Sequence, residues 1–214
     1  HQSQRAKLEE QMRGTFVATA ELTADNVKKL ERLQGYLAEL RSTVGAQIDG
    51  RSPPPAPAES DPRNFTYFPP PGLGAYEAAK ANGSVALLSF DTIRIYDRIG
   101  MTVGVLHADL QRYLGAMVAW RSFAARFDTS SVGPHRLPQV KLDQLSAEEL
   151  VEYRVIIGNM LGVANGFQTR MRIFELSSLA ILDGAQTEDE LRVKIAKMQG
   201  ELTSEPAASG GNAP

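Results

Sequence analysis

The chain has 214 residues, a formal net charge of −2 and no cysteine, and 43% of its residues are hydrophobic. This composition is typical of one folded domain with tails, and it excludes disulfides and cysteine-based metal sites. The near-neutral charge does not favour nucleic acid as a partner, because nucleic-acid binding normally leaves a basic face. The best apolar run, Val155 to Phe167, is shorter than the roughly 18 residues that span a bilayer. We therefore predict that this chain does not itself cross a membrane.

The first predicted element is a long helix within residues 1–48, beginning at Ser3 and forming part of the bundle. From Val27 to Val44 its apolar residues advance in steps of three and four. That pattern is typical of a helix seam buried against other helices. The part before Val27 has fewer apolar residues, so we expect it to project from the bundle or fray.

A crossing loop is predicted over residues 49–74, which hold eight of the twelve prolines. Runs of proline favour extended polyproline II and cannot continue a helix. The loop also contains three aromatic residues, Phe65, Tyr67 and Phe68. One interpretation is a docking loop for a partner. The other, which we favour, is that these aromatic side chains pin the loop to the bundle.

The main helical bundle is predicted over residues 75–203. A short helix reaches Asn82-Gly83, a pair suited to a left-handed helix end. A compact apolar link then leads to a long helix that begins at Ser89, the predicted N-cap, and ends near Phe127.

Two capping boxes predict where the remaining helices begin. Ser146 with Glu149 opens a long helix that continues to about Leu182, and Thr187 with Glu190 opens a short one. Residues 204–214 lack core-forming side chains, so we predict a disordered tail. The fold class is therefore all-α, an elongated antiparallel bundle of three long helices plus two or three short ones.

No local motif indicates catalysis. The three histidines, His1, His107 and His135, are not spaced as metal ligands, and no GxSxG, Walker A or GxGxxG motif is present. We therefore predict that the chain is not an enzyme, and that it has no catalytic, metal-binding or cofactor-binding residue.

Two predicted helices contain stripes of glycine spaced four residues apart, which is more glycine than ordinary helix packing requires. These stripes are Gly100 and Gly104 on one long helix, and Gly158, Gly162 and Gly166 on the next. Each helical glycine costs about 1 kcal/mol relative to alanine. Such stripes predict a close approach of helix backbones. We favour tight packing of these two helices on each other, and the alternative is a surface for a partner helix or an apolar ligand.

A further pattern links Tyr76, Lys80, Gly83 and Leu87-Leu88, spaced Tyr-x-x-x-Lys-x-x-Gly-x-x-x-Leu-Leu, ahead of a helix that contains Ile95-Tyr96. This pattern resembles a turn found in uncharacterised bacterial single-pass membrane proteins with a C-terminal helical domain. The opening HQSQRAKLEEQMRG is similar to their charged juxtamembrane segment. The resemblance implies a membrane location and transfers no catalytic residue. The long proline-rich loop departs from the pattern.

Our leading hypothesis is a non-enzymatic helical interaction or assembly domain, the soluble part of a membrane-anchored bacterial protein. It predicts a protein partner or a homo-oligomer, no nucleic acid, and an anchor upstream of His1. We favour the periplasmic over the cytoplasmic side.

Two alternatives remain open. The first is a four-helix-type sensor domain that binds a small ligand between helices. Its possible polar contributors are Arg94, Arg98, Gln111 and Arg112, although all four lie off the seam and we expect them to face solvent. The second is an enzyme whose site is assembled from distant residues and leaves no local motif.

Overall fold

A computed structural model describes residues 2–52, 68–127 and 137–204. Its α-helices are α1 (Gln2–Ile48), α2 (Gly74–Ala81), α3 (Phe90–Ala124), α4 (Ala147–Leu182) and α5 (Glu188–Ser204). Short 3-10 helices cover Ser84–Leu87, Ala125–Phe127 and Leu142–Gln144. These described ranges contain no strand. The predicted all-α bundle of three long helices with shorter ones is therefore confirmed. The predicted disordered tail lies outside the described residues, apart from Ser204.

The chain forms two compact units. Unit 1 consists of the described residues within His1–Thr23, Pro71–Val103 and Arg172–Pro214. Unit 2 consists of those within Ala24–Pro70 and Gly104–Met171. Each unit therefore contains a segment of each of the three long helices, α1, α3 and α4.

In unit 2, α1 runs antiparallel to α4. The Gln34 side-chain amide donates to the Ala164 carbonyl at 3.3 Å, and the Gln168 amide donates to the Glu31 carboxylate at 3.2 Å. A residue earlier in α1 is thus paired with one later in α4, which defines opposite chain directions.

Helix α3 also runs antiparallel to α4 in unit 2. The Trp120 indole N–H donates to the Tyr153 hydroxyl at 3.3 Å, and Arg170 is bonded to Asp109. Because α1 and α3 both oppose α4, they run in the same direction. A long connection must then carry the chain back from the end of α1 to the start of α3, which is the predicted role of the proline-rich crossing.

The amino-terminal part of α1 packs in unit 1 instead of projecting from it. Leu8, Met12 and Phe16 are all buried, and the Phe16 ring lies 5.2 Å from the Tyr96 ring of α3. The prediction of a projecting or frayed segment is therefore wrong from Leu8 onward. Three well-spaced large side chains are enough to bury this part of the helix.

The turn between α2 and α3 follows the prediction. Gly83 has a φ of 79°, in the left-handed region that favours glycine. The Asn82 side-chain oxygen accepts from the Ser84 N–H at 2.9 Å. Ser89 caps α3 through its hydroxyl oxygen, which accepts from the Thr92 N–H at 3.1 Å.

The capping box predicted at the start of α4 is present, and the one predicted at the start of α5 is present with a changed partner. Ser146 and Glu149 exchange the reciprocal pair of bonds, at 2.8 and 3.3 Å. At α5, Thr187 accepts from the Glu190 N–H at 3.2 Å. The Glu190 carboxylate accepts from the Gln186 N–H instead of the Thr187 N–H, so this second box is offset by one residue.

Candidate functional site

The predicted docking loop is described only at its last aromatic residue. Phe65 and Tyr67 lie outside the described residues. Phe68 is buried in unit 2, with its ring edge-on to Tyr113 at 5.2 Å and to Phe167 at 6.0 Å. For Phe68 this favours the interpretation that the aromatic side chain pins the crossing to the bundle.

Among the described residues, no helix backbone closely approaches the glycine stripes, contrary to the prediction. A Cβ at Gly104 or Gly162 would meet nothing within 4 Å. The nearest neighbours of the other three are side-chain atoms, at 4.0 Å (Leu73) from Gly100, at 3.8 Å (Arg41) from Gly158 and at 3.5 Å (Arg170) from Gly166. Tight intrachain packing, the reading that we favoured, is therefore wrong at Gly104 and Gly162, because both are exposed on the outside of their helices.

The outward side of α4 in unit 2 carries a strip of five residues without charge, flanked by the exposed side chains of Glu152 and Arg154. Val151 and Val155 are 52% and 66% exposed, and no charged residue occurs between Arg154 and Arg170. Helical spacing places Val151, Val155, Gly158, Gly162 and Asn165 on one side, which we call the uncharged α4 face. An exposed helix surface normally carries charged residues.

A buried charged network joins α3 to α4 in unit 2. Asp109 is only 2% exposed, and its carboxylate accepts from Arg112 at 2.9 Å and from Arg170 at 2.8 Å. A second Arg170 nitrogen bonds the other carboxylate oxygen, which makes the pair bidentate. Hydrogen bonding to Asp109 raises the pKa of Arg170. Nothing in the sequence indicates the role of Asp109, because one aspartate on a long apolar seam leaves no motif.

The four polar residues proposed for a sensor site do not converge on one point. Arg94, Gln111 and Arg112 are exposed, as expected, and Arg98 is half-buried. Arg94 and Arg98 approach the Glu188 carboxylate at 3.5 and 3.7 Å in unit 1. Arg112 reaches Asp109 in unit 2. Two of the four therefore lie at Glu188 in unit 1, one lies at Asp109 in unit 2, and Gln111 is exposed on the surface of unit 2.

Unit 1 contains a groove of about 310 Å³ between segments of α1, α3 and α4. Phe16, Tyr96 and Leu182 form its apolar floor together with Ile181, and the charged residues at its rim are Glu9, Glu10 and Arg13. We call this feature the unit 1 groove. None of the residues proposed from the sequence lines it, because the groove depends on how distant helix segments meet.

Two tyrosines of unit 1 have raised pKa values. Burial raises the pKa of Tyr96, and the charge of Glu9 adds to the effect. Burial also raises the pKa of Tyr76, whose hydroxyl donates to Asp97 at 2.9 Å. Lys80 lies 3.3 Å from the same carboxylate. Both phenols therefore keep their protons to a higher pH than an exposed tyrosine does.

The described residues offer neither a group of metal ligands nor a helix that could span a membrane. In residues 2–52, 68–127 and 137–204, no three or more His, Asp or Glu side chains are grouped to hold a metal ion. Across these same residues, no helix has an apolar stretch sufficient to cross a lipid bilayer. His107 is exposed on α3, whereas His1 and His135 lie outside the described residues.

Comparison of the chain with protein-family models, with curated proteins and with solved structures gives no match.

Proposed function

We propose that this chain is a non-enzymatic helical interaction domain that associates with a second copy of itself through the uncharged α4 face. The observation that carries the proposal is the exposure of Val151 and Val155 on a strip of helix surface without charged residues. A surface of this kind favours contact with another apolar surface over contact with water.

A second copy is the partner that suits this face best. A two-fold interface brings the same patch of both subunits together. The five residues of the face carry no charge of their own, so a two-fold contact centred on Val155 and Gly162 limits like-charge repulsion, although the Arg41 guanidinium of α1 lies beside Gly158. Gly162 supports this arrangement, because the glycine costs helix stability and no described residue lies within 4 Å of where its Cβ would be. Glycines spaced by four residues allow two helix backbones to approach closely.

The expected association is weak. Residues 151–165 cover about 21 Å of helix, and a strip about 10 Å wide gives about 200 Å² per copy, far below the roughly 800 Å² per partner of a standard interface. Exposed Val105 and Val118 on α3 are further apolar side chains in unit 2. We therefore expect a dimer in rapid exchange with the monomer.

Sedimentation equilibrium over a concentration series up to about 1 mM tests this proposal. We expect the wild type to dimerise and Val155→Glu to raise the dissociation constant at least about tenfold, because a two-fold contact would bury two carboxylates close together. Val193→Glu is the matched control. Val193 is 68% exposed on α5 in unit 1, and Val155 is 66% exposed on α4 in unit 2.

Two results would overturn self-association. One is a wild type that stays monomeric over the whole series. The other is an equal effect of Val155→Glu and Val193→Glu. Circular dichroism melting of both variants establishes that each remains folded.

The membrane location remains part of the proposal. Its support is the resemblance carried by the pattern from Tyr76 to Leu88, which implies a bacterial membrane protein with an anchor ahead of residue 1. Sequencing the gene upstream of the codon for His1 tests whether such an anchor is encoded.

A further inference from the structure

The unit 1 groove combines an apolar floor with a charged rim. The floor contains Phe16, which is fully buried, and Tyr96, which is 9% exposed, with their rings 5.2 Å apart. The side chains of Ile181 and Leu182 complete it and are partly exposed. An apolar group placed in this groove would bury surface against two aromatic rings and two aliphatic side chains.

One positive and one negative group of the rim lack an ion-pair partner among the described residues. The Arg13 guanidinium donates to the Leu182 carbonyl at 3.3 Å, and no carboxylate lies within 4.0 Å of it in the described part of the chain. The Glu10 carboxylate likewise has no ion pair with any described residue. Glu9, by contrast, is paired with Arg5 at 2.8 Å. At the rim, Arg13 can therefore bind an anionic group of a ligand and Glu10 can bind a cationic group.

The spacing of these two groups favours a ligand that carries both charges. Residues three apart on a helix are neighbours on one side, with Cβ atoms about 5–6 Å apart. An α-amino acid separates its ammonium and carboxylate groups by a few ångströms, so both can be reached from adjacent turns. The Tyr96 hydroxyl adds a donor at the floor, since it makes no hydrogen bond within the described residues.

The size of the groove limits the ligand. Pockets for drug-sized ligands measure about 300–1,000 Å³, and this groove is at the lower limit, at about 310 Å³. A single amino acid suits that volume better than a peptide. We propose that the unit 1 groove binds a free α-amino acid with an apolar side chain, its carboxylate on Arg13, its ammonium on Glu10 and its side chain against Phe16 and Tyr96.

This inference is independent of self-association, because the uncharged α4 face belongs to unit 2. Nuclear magnetic resonance titration of the full chain with L-leucine and L-phenylalanine tests it. We expect saturable shifts localised to residues of the groove. Glycine, 3-methylbutylamine and 4-methylpentanoate, which lack the side chain, the carboxylate and the ammonium respectively, should bind at least about tenfold more weakly.

Charge-removing variants identify the groups that bind the ligand. Arg13→Gln and Glu10→Gln should each weaken leucine binding at least about tenfold, because each removes a charge-assisted hydrogen bond. Arg13→Lys should lose less, since it keeps the charge without the planar guanidinium. The matched controls are Lys7→Gln and Glu21→Gln, which remove one charge of the same sign from exposed positions of α1 and should bind as the wild type does.

Three results would overturn the proposal. The first is the absence of saturable shifts with both amino acids up to about 20 mM. The second is equal binding by leucine and by its amine and acid analogues, which would leave an apolar groove without recognition of a zwitterion. The third is equal affinity of Arg13→Gln and Lys7→Gln for leucine when both variants give the spectrum of a folded protein.

Discussion

Units 1 and 2 are built from segments of the same three long helices, yet their interiors differ. Unit 2 is filled by fully buried aromatic rings, among them Trp120, Tyr113 and Phe167. The buried residues of unit 1 include small polar side chains, among them Thr19 and Ser178. Large rings fill the space between helices, whereas small hydroxyl-bearing side chains occupy little volume. This difference explains why a groove lies in unit 1.

Two buried hydroxyls of unit 1 do not join helices together, whereas the Tyr76 hydroxyl joins α2 to α3 through Asp97. Thr23 donates to the Thr19 carbonyl at 2.6 Å, and Ser178 donates to the Phe174 carbonyl at 3.0 Å. Each bond returns to the preceding turn of the same helix, which satisfies the hydroxyl without linking it to a neighbour. In unit 2 the Trp120–Tyr153 bond and the Asp109–Arg170 pair do connect α3 to α4. The comparison therefore predicts a tightly packed unit 2 and a more loosely filled unit 1.

The largest expected loss in the free energy of unfolding comes from truncating one buried aromatic residue in each unit. Trp120→Ala should lower the free energy of unfolding by about 5 kcal/mol, and Phe16→Ala by about 3 kcal/mol, within the range known for such changes. The smaller loss at Phe16 is expected because its ring is smaller than the Trp120 indole and lines the unit 1 groove, so fewer packing contacts are removed. Urea denaturation measures both values.

Val118→Ala is the control for this pair, since Val118 is 61% exposed on α3 and its change should stay within about 0.5 kcal/mol. If Phe16→Ala costs as much as Trp120→Ala, the two interiors do not differ in packing and the comparison fails.

The next largest expected effect is a loss of folding stability at alkaline pH. Burial strongly raises the pKa of Tyr113 above its ordinary value of 10.0. Above that value the unfolded chain loses this proton while the folded chain keeps it. The stabilisation is therefore complete below pH 10 and is lost as the pH rises towards the folded-state pKa, by about 1.4 kcal/mol per pH unit.

The measurement is the free energy of unfolding of wild type and Tyr113→Phe at a series of pH values above 10. The wild type should lose stability more steeply by about 1.4 kcal/mol per pH unit, because phenylalanine has no proton to release. Tyr96→Phe should change the slope in the same direction, since burial also raises the pKa of Tyr96. Equal slopes for wild type and Tyr113→Phe would show that the Tyr113 phenol ionises as readily in the folded chain.

Local features of the fold were predictable from the sequence because their causes are local. The Ser146–Glu149 box and the Gly83 turn each depend on residues within one helical turn, so their bonds and dihedral angles followed the prediction. Periodic apolar residues likewise gave the side of each long helix that is buried.

Features that depend on the register between helices were not predictable. Asp109 and Arg170 are 61 residues apart, and a periodic pattern identifies a buried side without saying which residues of two helices meet there. The unit 1 groove has the same origin, because it combines Phe16 of α1, Tyr96 of α3 and Leu182 of α4. The glycine stripes led to the wrong interpretation for a related reason: small residues permit close approach, but the sequence does not say whether a neighbour is there.

The smallest expected loss of stability comes from removing a helix N-cap. This loss should be the same in the two units. Ser89→Ala removes the hydroxyl that accepts from the Thr92 N–H in unit 1, and it should cost about 1 kcal/mol of stability. Ser146→Ala removes the equivalent acceptor for the Glu149 N–H in unit 2, and it should cost a similar amount, because a cap acts within one turn. Ser42→Ala is the control, since Ser42 is exposed inside α1, where alanine is slightly favoured. Thermal melting of the three variants measures these effects. If Ser89→Ala were neutral while Ser146→Ala destabilised, unit 1 would also be weaker at its helix ends, and packing alone would not account for the difference between the units.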